Sequence, residues 1–120
     1  MERVLLVEDE LDELEILYWL LLDHGCDVRA VNTAKAAVSL GKQFHPTLLV
    51  TDFLLSHDAT GLDVIRELRK LAPGLPALII TGVAPAEFPG LDDLGNVHVM
   101  YKPFTPEDLL GRLAVLTHAA

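Results

Sequence analysis

Three carboxylates stand just after two short apolar runs. Glu8 and Asp9 follow Val4-Leu5-Leu6-Val7, and Asp52 follows Leu48-Leu49-Val50-Thr51. If those runs are neighbouring parallel strands, all three acids reach one edge of a sheet. Like charges so placed repel one another unless a divalent cation or a proton intervenes. A Mg²⁺ pocket, with one carboxylate free to attack a phosphoryl group, meets that requirement. Later apolar runs deliver Thr81-Gly82 and Lys102-Pro103. The carboxylates offer Mg²⁺ an oxygen cage that leaves it several waters. One of them has the chemistry to form an acyl phosphate. The hydroxyl and the ammonium suit the phosphoryl oxygens.

These residues need a frame that brings them together. Residues 3–7 read as a short strand. Residues 10–24 have helical spacing, with Leu11, Leu14, Leu17, Tyr18, Leu21 and Leu22 assigned to one face. His24-Gly25 ends that helix, since glycine adopts the left-handed C′ conformation without strain. A second strand is predicted from Cys26 to Val31, and a helix over 33–42, capped by Asn32 or Thr33 and weakened at its end by Gly41. Residues 47–51 form the third strand. A polar loop, Ser56-His57-Asp58-Ala59-Thr60-Gly61, leads into a helix at 61–71 that Pro73-Gly74 stops. Ala77-Leu78-Ile79-Ile80 is apolar throughout, as a strand covered on both faces should be. Over 83–95, Pro85, Pro89 and Gly90 predict a helix that is short or irregular. A fifth strand spans Asn96 to Met100. Thr105-Pro106-Glu107-Asp108 is a helix start, with a hydroxyl cap, a first-turn proline and two acids at the positive end of the dipole. Five strands alternating with five helical segments predict an α/β fold with a parallel sheet. Its site lies at the carboxyl ends of the strands, near the switch in strand order.

The bulk properties narrow the function. The 120 residues suffice for one domain, assigned to 1–120, and about half are apolar. No apolar run is long enough to span a membrane, and no basic, signal-like segment precedes the first strand. A single cysteine, Cys26, excludes an internal disulfide and fits a reducing cytoplasm. The net charge of −9 disfavours nucleic acid and anionic membranes as direct partners.

Four separated motifs carry a family resemblance: Leu5-Leu6-Val7-Glu8-Asp9-Glu10, Val50-Thr51-Asp52, Ile79-Ile80-Thr81-Gly82 and Tyr101-Lys102-Pro103-Phe104. In order and spacing they resemble the receiver domain of two-component response regulators. The stretch from Asp52 to Gly82 is similar to receivers attached to hybrid sensor kinases. The resemblance implies a flavodoxin-like (βα)5 doubly wound fold with a five-stranded parallel sheet of order 2-1-3-4-5. It implies that Asp52 accepts phosphoryl from a phosphohistidine on a sensor histidine kinase or histidine phosphotransfer protein. Asp9 and Asp52 would ligate Mg²⁺ directly, with the main-chain carbonyl of Leu54 as third protein ligand and Glu8 acting mainly through water. Thr81 would bond the phosphoryl group, and Lys102 would pair with it after a cis peptide at Pro103. Such a domain catalyses only its own phosphotransfer and autodephosphorylation.

The chain also departs from that pattern. Val99 stands three residues before Lys102, where switching receivers usually carry an aromatic ring, and Ser56 stands where proline is common. Leu54 and Val83, two residues beyond Asp52 and Thr81, are apolar and cannot orient an attacking water. Val99 and the proline-broken helix over 83–95 favour the alternative, a receiver-fold interaction module that does not switch. An aspartate-nucleophile phosphatase would want an acid at Leu54 and a cap domain. Asp58, Asp63, Asp92 and Asp93 read as helix caps or solvent-facing acids. The five histidines lack metal-ligand spacing, although His57 lies near the site. On the first helix Ile16, Trp19 and Leu20 project outward, a surface suited to docking or to a homodimer.

Overall fold

The computed structural model describes residues 2–82 and 94–118. In chain order the elements are β1 (Arg3–Val7), α1 (Leu11–Asp23), β2 (Asp27–Val31), α2 (Ala34–Phe44), β3 (Leu48–Asp52), α3 (Gly61–Arg69), β4 (Ala77–Thr81), β5 (Val97–Tyr101) and α4 (Pro106–His118). The five strands form one sheet of order β2-β1-β3-β4-β5, with every neighbouring pair parallel. The expected order is therefore present. The helix foreseen over 83–95 falls on residues 83–93, which with Val83, Asp92 and Asp93 lie outside the described residues. The label α4 accordingly belongs to the last helix.

Alternation along the strands sorts side chains into two cores. Leu5, Val7, Leu49 and Ile79 pack with Val64, Ile65 and Leu68 of α3. Val4, Leu6, Val50 and Ile80 pack with Leu17 and Leu21 of α1 and Leu109 and Leu113 of α4. Helices thus cover both faces, which is why β4 is buried along its whole length.

Local chemistry sets the element ends. Thr33 accepts a bond from the Ala36 amide and caps α2. Thr60 and Asp63 form a reciprocal capping box on α3. Thr105 and Asp108 make the same exchange at the start of α4, at 3.1 and 3.2 Å. Gly25 has φ +92°, the left-handed stop expected after α1. Gly41 does not weaken the end of α2, which runs on to Phe44. It is buried against α3, and a Cβ there would overlap the Leu68 side chain.

The apolar stripe of α1 is narrower than the spacing suggested. Leu17 and Leu21 are buried, and Leu14, Tyr18 and Leu20 pack partly against them. Leu11 and Leu22 are exposed. At about 100° per residue, Leu11 and Leu22 lie roughly 100° or more from the Leu17–Leu21 direction, whereas Leu20 lies as close to it as Tyr18. Leu20 therefore joins the core margin, and Ile16 and Trp19 remain the outward pair.

Candidate functional site at the carboxyl edge of the sheet

The carboxyl ends of β1, β3, β4 and β5 converge on one cluster. Glu8 follows β1 directly, its amide donating to the Val31 carbonyl at 3.1 Å. It is 99% buried by area, its exposure being 1%. Asp52 ends β3, and the Phe53 amide donates to its Oδ1 at 2.7 Å. Thr81 ends β4, is buried, and lies in register with Tyr101. The Lys102 amide donates to the Thr81 carbonyl at 2.9 Å, which carries the chain from β5 over the site. The Lys102–Pro103 peptide is cis, as the resemblance implied.

Lys102 is the hub. Its Nζ donates to Glu8 Oε1 at 3.3 Å, to Asp52 Oδ2 at 3.3 Å and to Glu13 Oε2 at 2.5 Å. One ammonium therefore serves three carboxylates. The electrostatics follow from that imbalance. Burial pushes the Glu8 carboxyl up to about 9, reinforced by its hydrogen bonds to Glu13 and Asp52 and by the Asp52 charge, with Lys102 opposing. Glu13 moves the other way, held below the usual carboxylate range by its bonds to Glu8 and Lys102. Burial alone would lower Lys102, but the Glu13 bond and the three acidic charges together raise it. Glu8 thus keeps its proton at neutral pH while Glu13 is ionised.

Among the described residues, Glu8, Glu13 and Asp52 offer carboxylate oxygens that all lie within 4.8 Å of one another. Hard divalent cations favour such an oxygen set. Asp9, expected as a direct ligand, is exposed at the rim, and Ser56 Oγ donates to its Oδ2 at 3.3 Å. Leu54, in the loop after β3, bridges in antiparallel fashion to Thr60 and exposes its side chain. That loop is tied down at its far end, where the Gly61 amide donates to the Phe53 carbonyl at 2.7 Å. A Cβ at Gly61 would sit 2.5 Å from the Asp52 carbonyl oxygen, so the close approach requires glycine. His57 and Asp58 both take positive φ in this loop, and both are exposed.

Glu13 is the site residue that sequence reasoning missed. It lies in the first turn of α1, where an acid is ordinary dipole compensation. The available signal was its position one turn into the helix that begins beside Glu8. Val99 is half-buried against the α3-side core, and Tyr101, two residues on along the same face, is exposed.

Comparison with known proteins settles the family. Residues 4–114 match the model of the response regulator receiver domain. The chain belongs to the response regulator receiver family. Its receiver is 33% identical over 115 residues to the probable transcriptional regulatory protein TcrX of Mycobacterium tuberculosis, covering 94% of this chain and 48% of that protein. It is 37% identical over 116 residues to the two-component response regulator PhoP of Pseudomonas aeruginosa, covering 95% of this chain and 51% of the relative. The chain therefore spans about half the length of the curated relatives it matches. Among solved structures, a response regulator receiver protein from Sinorhizobium medicae superposes with a TM-score of 0.87 at 28% identity, over 98% of this chain and 95% of that one. The chemotaxis protein CheY4 of Vibrio cholerae shares the fold, with a TM-score of 0.88 at 23% identity over 97% and 98% of the two chains. Among the described residues, no helix of the receiver is long and apolar enough to cross a membrane.

Proposed function

We propose that this receiver is a phosphoacceptor switch whose Asp52 takes a phosphoryl group from a phosphohistidine on a sensor histidine kinase or histidine phosphotransfer protein. The observation that carries the reading is the placement of Asp52 at the end of β3, with the Lys102 ammonium 3.3 Å from its Oδ2 and buried Glu8 beside it. In the transfer, Asp52 Oδ attacks phosphorus and a new P–O bond forms. The P–N bond to the donor breaks, its electron pair staying on the ring nitrogen. The donor, already protonated on its other ring nitrogen, leaves as neutral imidazole. Lys102 receives the negative charge of the phosphoryl oxygens, and the Thr81 hydroxyl donates to one of them.

Mg²⁺ fits this donor set: carboxylate oxygens within 4.8 Å of one another hold more negative charge than Lys102 offsets. Asp52 and Glu8 belong to that set; by the family resemblance, Asp9 at the rim and the Leu54 carbonyl would complete the ligands, with Glu8 acting through water. Bound there, it supplies charge neutralisation for the incoming phosphoryl group. The domain acts in the cytoplasm, turns over no separate substrate and catalyses only its own modification and autodephosphorylation. Exposed Ile16 and Trp19 of α1, near the rim, form the donor-docking surface. Val99 favours a second reading, an interaction module that does not switch.

The test is incubation with Mg²⁺ and acetyl phosphate, followed by intact-mass measurement. The expected result is one added phosphoryl group, lost in Asp52→Asn. An unmodified wild-type protein, with phosphohistidine donors also failing, would establish the interaction-module reading instead.

A further inference from the structure

Glu13 comes from a helix, whereas the rest of the site comes from strand ends. Yet it approaches the Lys102 ammonium more closely than either strand-end acid, 2.5 Å against 3.3 Å for both Glu8 and Asp52. Asp52 has a second donor in the Phe53 amide. Glu8 is buried. The Glu13 side chain is 40% exposed. Lys102 has three N–H groups, and in the unmodified domain three carboxylates take them. A phosphoryl group on Asp52 would bring more negative charge and three strong acceptor oxygens to the same ammonium. Two anions then compete for one cation.

We propose that Glu13 is a positioning residue that competes with the phosphoryl group for Lys102, holding the ammonium in the unmodified domain and releasing it when Asp52 is phosphorylated. The proposal rests on the phosphoacceptor reading of Asp52. Exchange needs only one side chain to turn, because Glu13 lies in the first turn of α1 and is only half-buried. Its carboxylate also borders a groove of about 420 Å³, shared with Ile16, Leu20, Lys102, Pro103 and Phe104. Release of Glu13 therefore alters the charge at the mouth of that groove. The state of Asp52 reaches the α1 face without passing through Val99.

With acetyl phosphate as donor, the step balances without proton transfer. The P–O bond to the acetyl oxygen breaks, its pair leaving on acetate, and a P–O bond to Asp52 Oδ forms. The Lys102 N–H bond to Glu13 is exchanged for one to a phosphoryl oxygen.

The experiment compares wild type, Glu13→Gln and Glu13→Asp in Mg²⁺, varying acetyl phosphate and following intact mass, with Mg²⁺ affinity measured by calorimetry. Glu13→Gln should raise the second-order rate constant about two- to fivefold, the scale of one partly exposed ion pair. The gain should appear as a lower half-saturating donor concentration, with the limiting rate little changed. Glu13→Asp keeps the charge but is one methylene shorter, and should fall between the two; it also carries the test if Gln disturbs the helix. A purely structural role would not produce that order. Equal or slower modification of Glu13→Gln overturns the proposal alone, as does weakened Mg²⁺ binding, which would make Glu13 a metal ligand. A wild type that accepts no phosphoryl group overturns both the reading of Asp52 and this proposal.

Discussion

Replacing Glu8 by Gln should stabilise the metal-free domain, although it removes a carboxyl as buried as any polar group of the site. Glu8 is 1% exposed, and its carboxyl is pushed from 4.5 up to about 9. In the unfolded chain the same group ionises near its ordinary value. Between those two values the folded state holds a proton that the unfolded state lacks, so stability falls as pH rises. Below 4.5 both states are protonated, and the contribution is intact. Through the window it is lost at no more than about 1.4 kcal/mol per pH unit. At pH 7 the interval above 4.5 corresponds to a cost of about 3 kcal/mol as an upper bound. Gln has nearly the shape of the protonated acid and cannot ionise, so it escapes that cost. Its amide also supplies the donor that bonds to Glu13 and Asp52.

Urea unfolding in EDTA, run from pH 5.5 to pH 8.5, measures this directly. Wild type should lose stability across the range, and Glu8→Gln should lose distinctly less and be the more stable protein at pH 7. Mg²⁺ should reverse the ranking. A cation stabilises by binding the folded state alone, and Gln offers it no carboxylate. If Glu8→Gln is less stable than wild type in EDTA at pH 7, or keeps the full pH slope, the assignment of the proton to Glu8 is wrong.

Other perturbations follow from the same geometry. Lys102→Met removes the ammonium shared by three carboxylates, and should cost about 1–3 kcal/mol in EDTA, partly restored by Mg²⁺. Urea midpoints with and without the ion check this, and an unchanged midpoint in EDTA counts against the hub role. Gly61→Ala forces a Cβ against the Asp52 carbonyl; it should destabilise by about 1–3 kcal/mol, whereas Ala at exposed Gly111, where nothing lies within 4 Å, should not. Leu54→Asn places a polar group at the loop beside Asp52, and should speed decay of the aspartyl phosphate several-fold. Pulse-labelled protein would show this, and an unchanged lifetime would mean that attack by water is not limited at Leu54.

The strand-end part of the site was legible because strand ends are local. An apolar run of five residues announces a buried parallel strand, and the first polar residue after it must emerge at the carboxyl edge. Glu8 and Thr81 follow that rule directly, Asp52 comes one residue after Thr51, and Lys102 follows a strand interrupted by His98, so their convergence needed the sheet order as well. The extent of α2 was misjudged for the opposite reason. Gly41 reads locally as a weak helix position, but its missing side chain makes room for Leu68 of α3, a contact that exists only after folding.

Glu13 and Asp9 show the same limit at the site itself. Both are acids near the start of α1, and sequence alone ranks Asp9 higher, since it adjoins Glu8. The direction of each side chain depends on how α1 leaves the sheet. Asp9 lies at the rim with Ser56, while Glu13, a turn into the helix, reaches back to Lys102. Helical side chains lean toward the N-terminal end of their own helix, and here that end faces the carboxyl edge of the sheet. An acid in the first turn of such a helix therefore serves two purposes. It compensates the dipole, and it overhangs whatever the strand ends have assembled. On the phosphoacceptor reading proposed above, an overhanging carboxylate is a cost unless a cation restrains it. Lys102 would be that cation, its charge spent first on restraining Glu13 and then on the phosphoryl group.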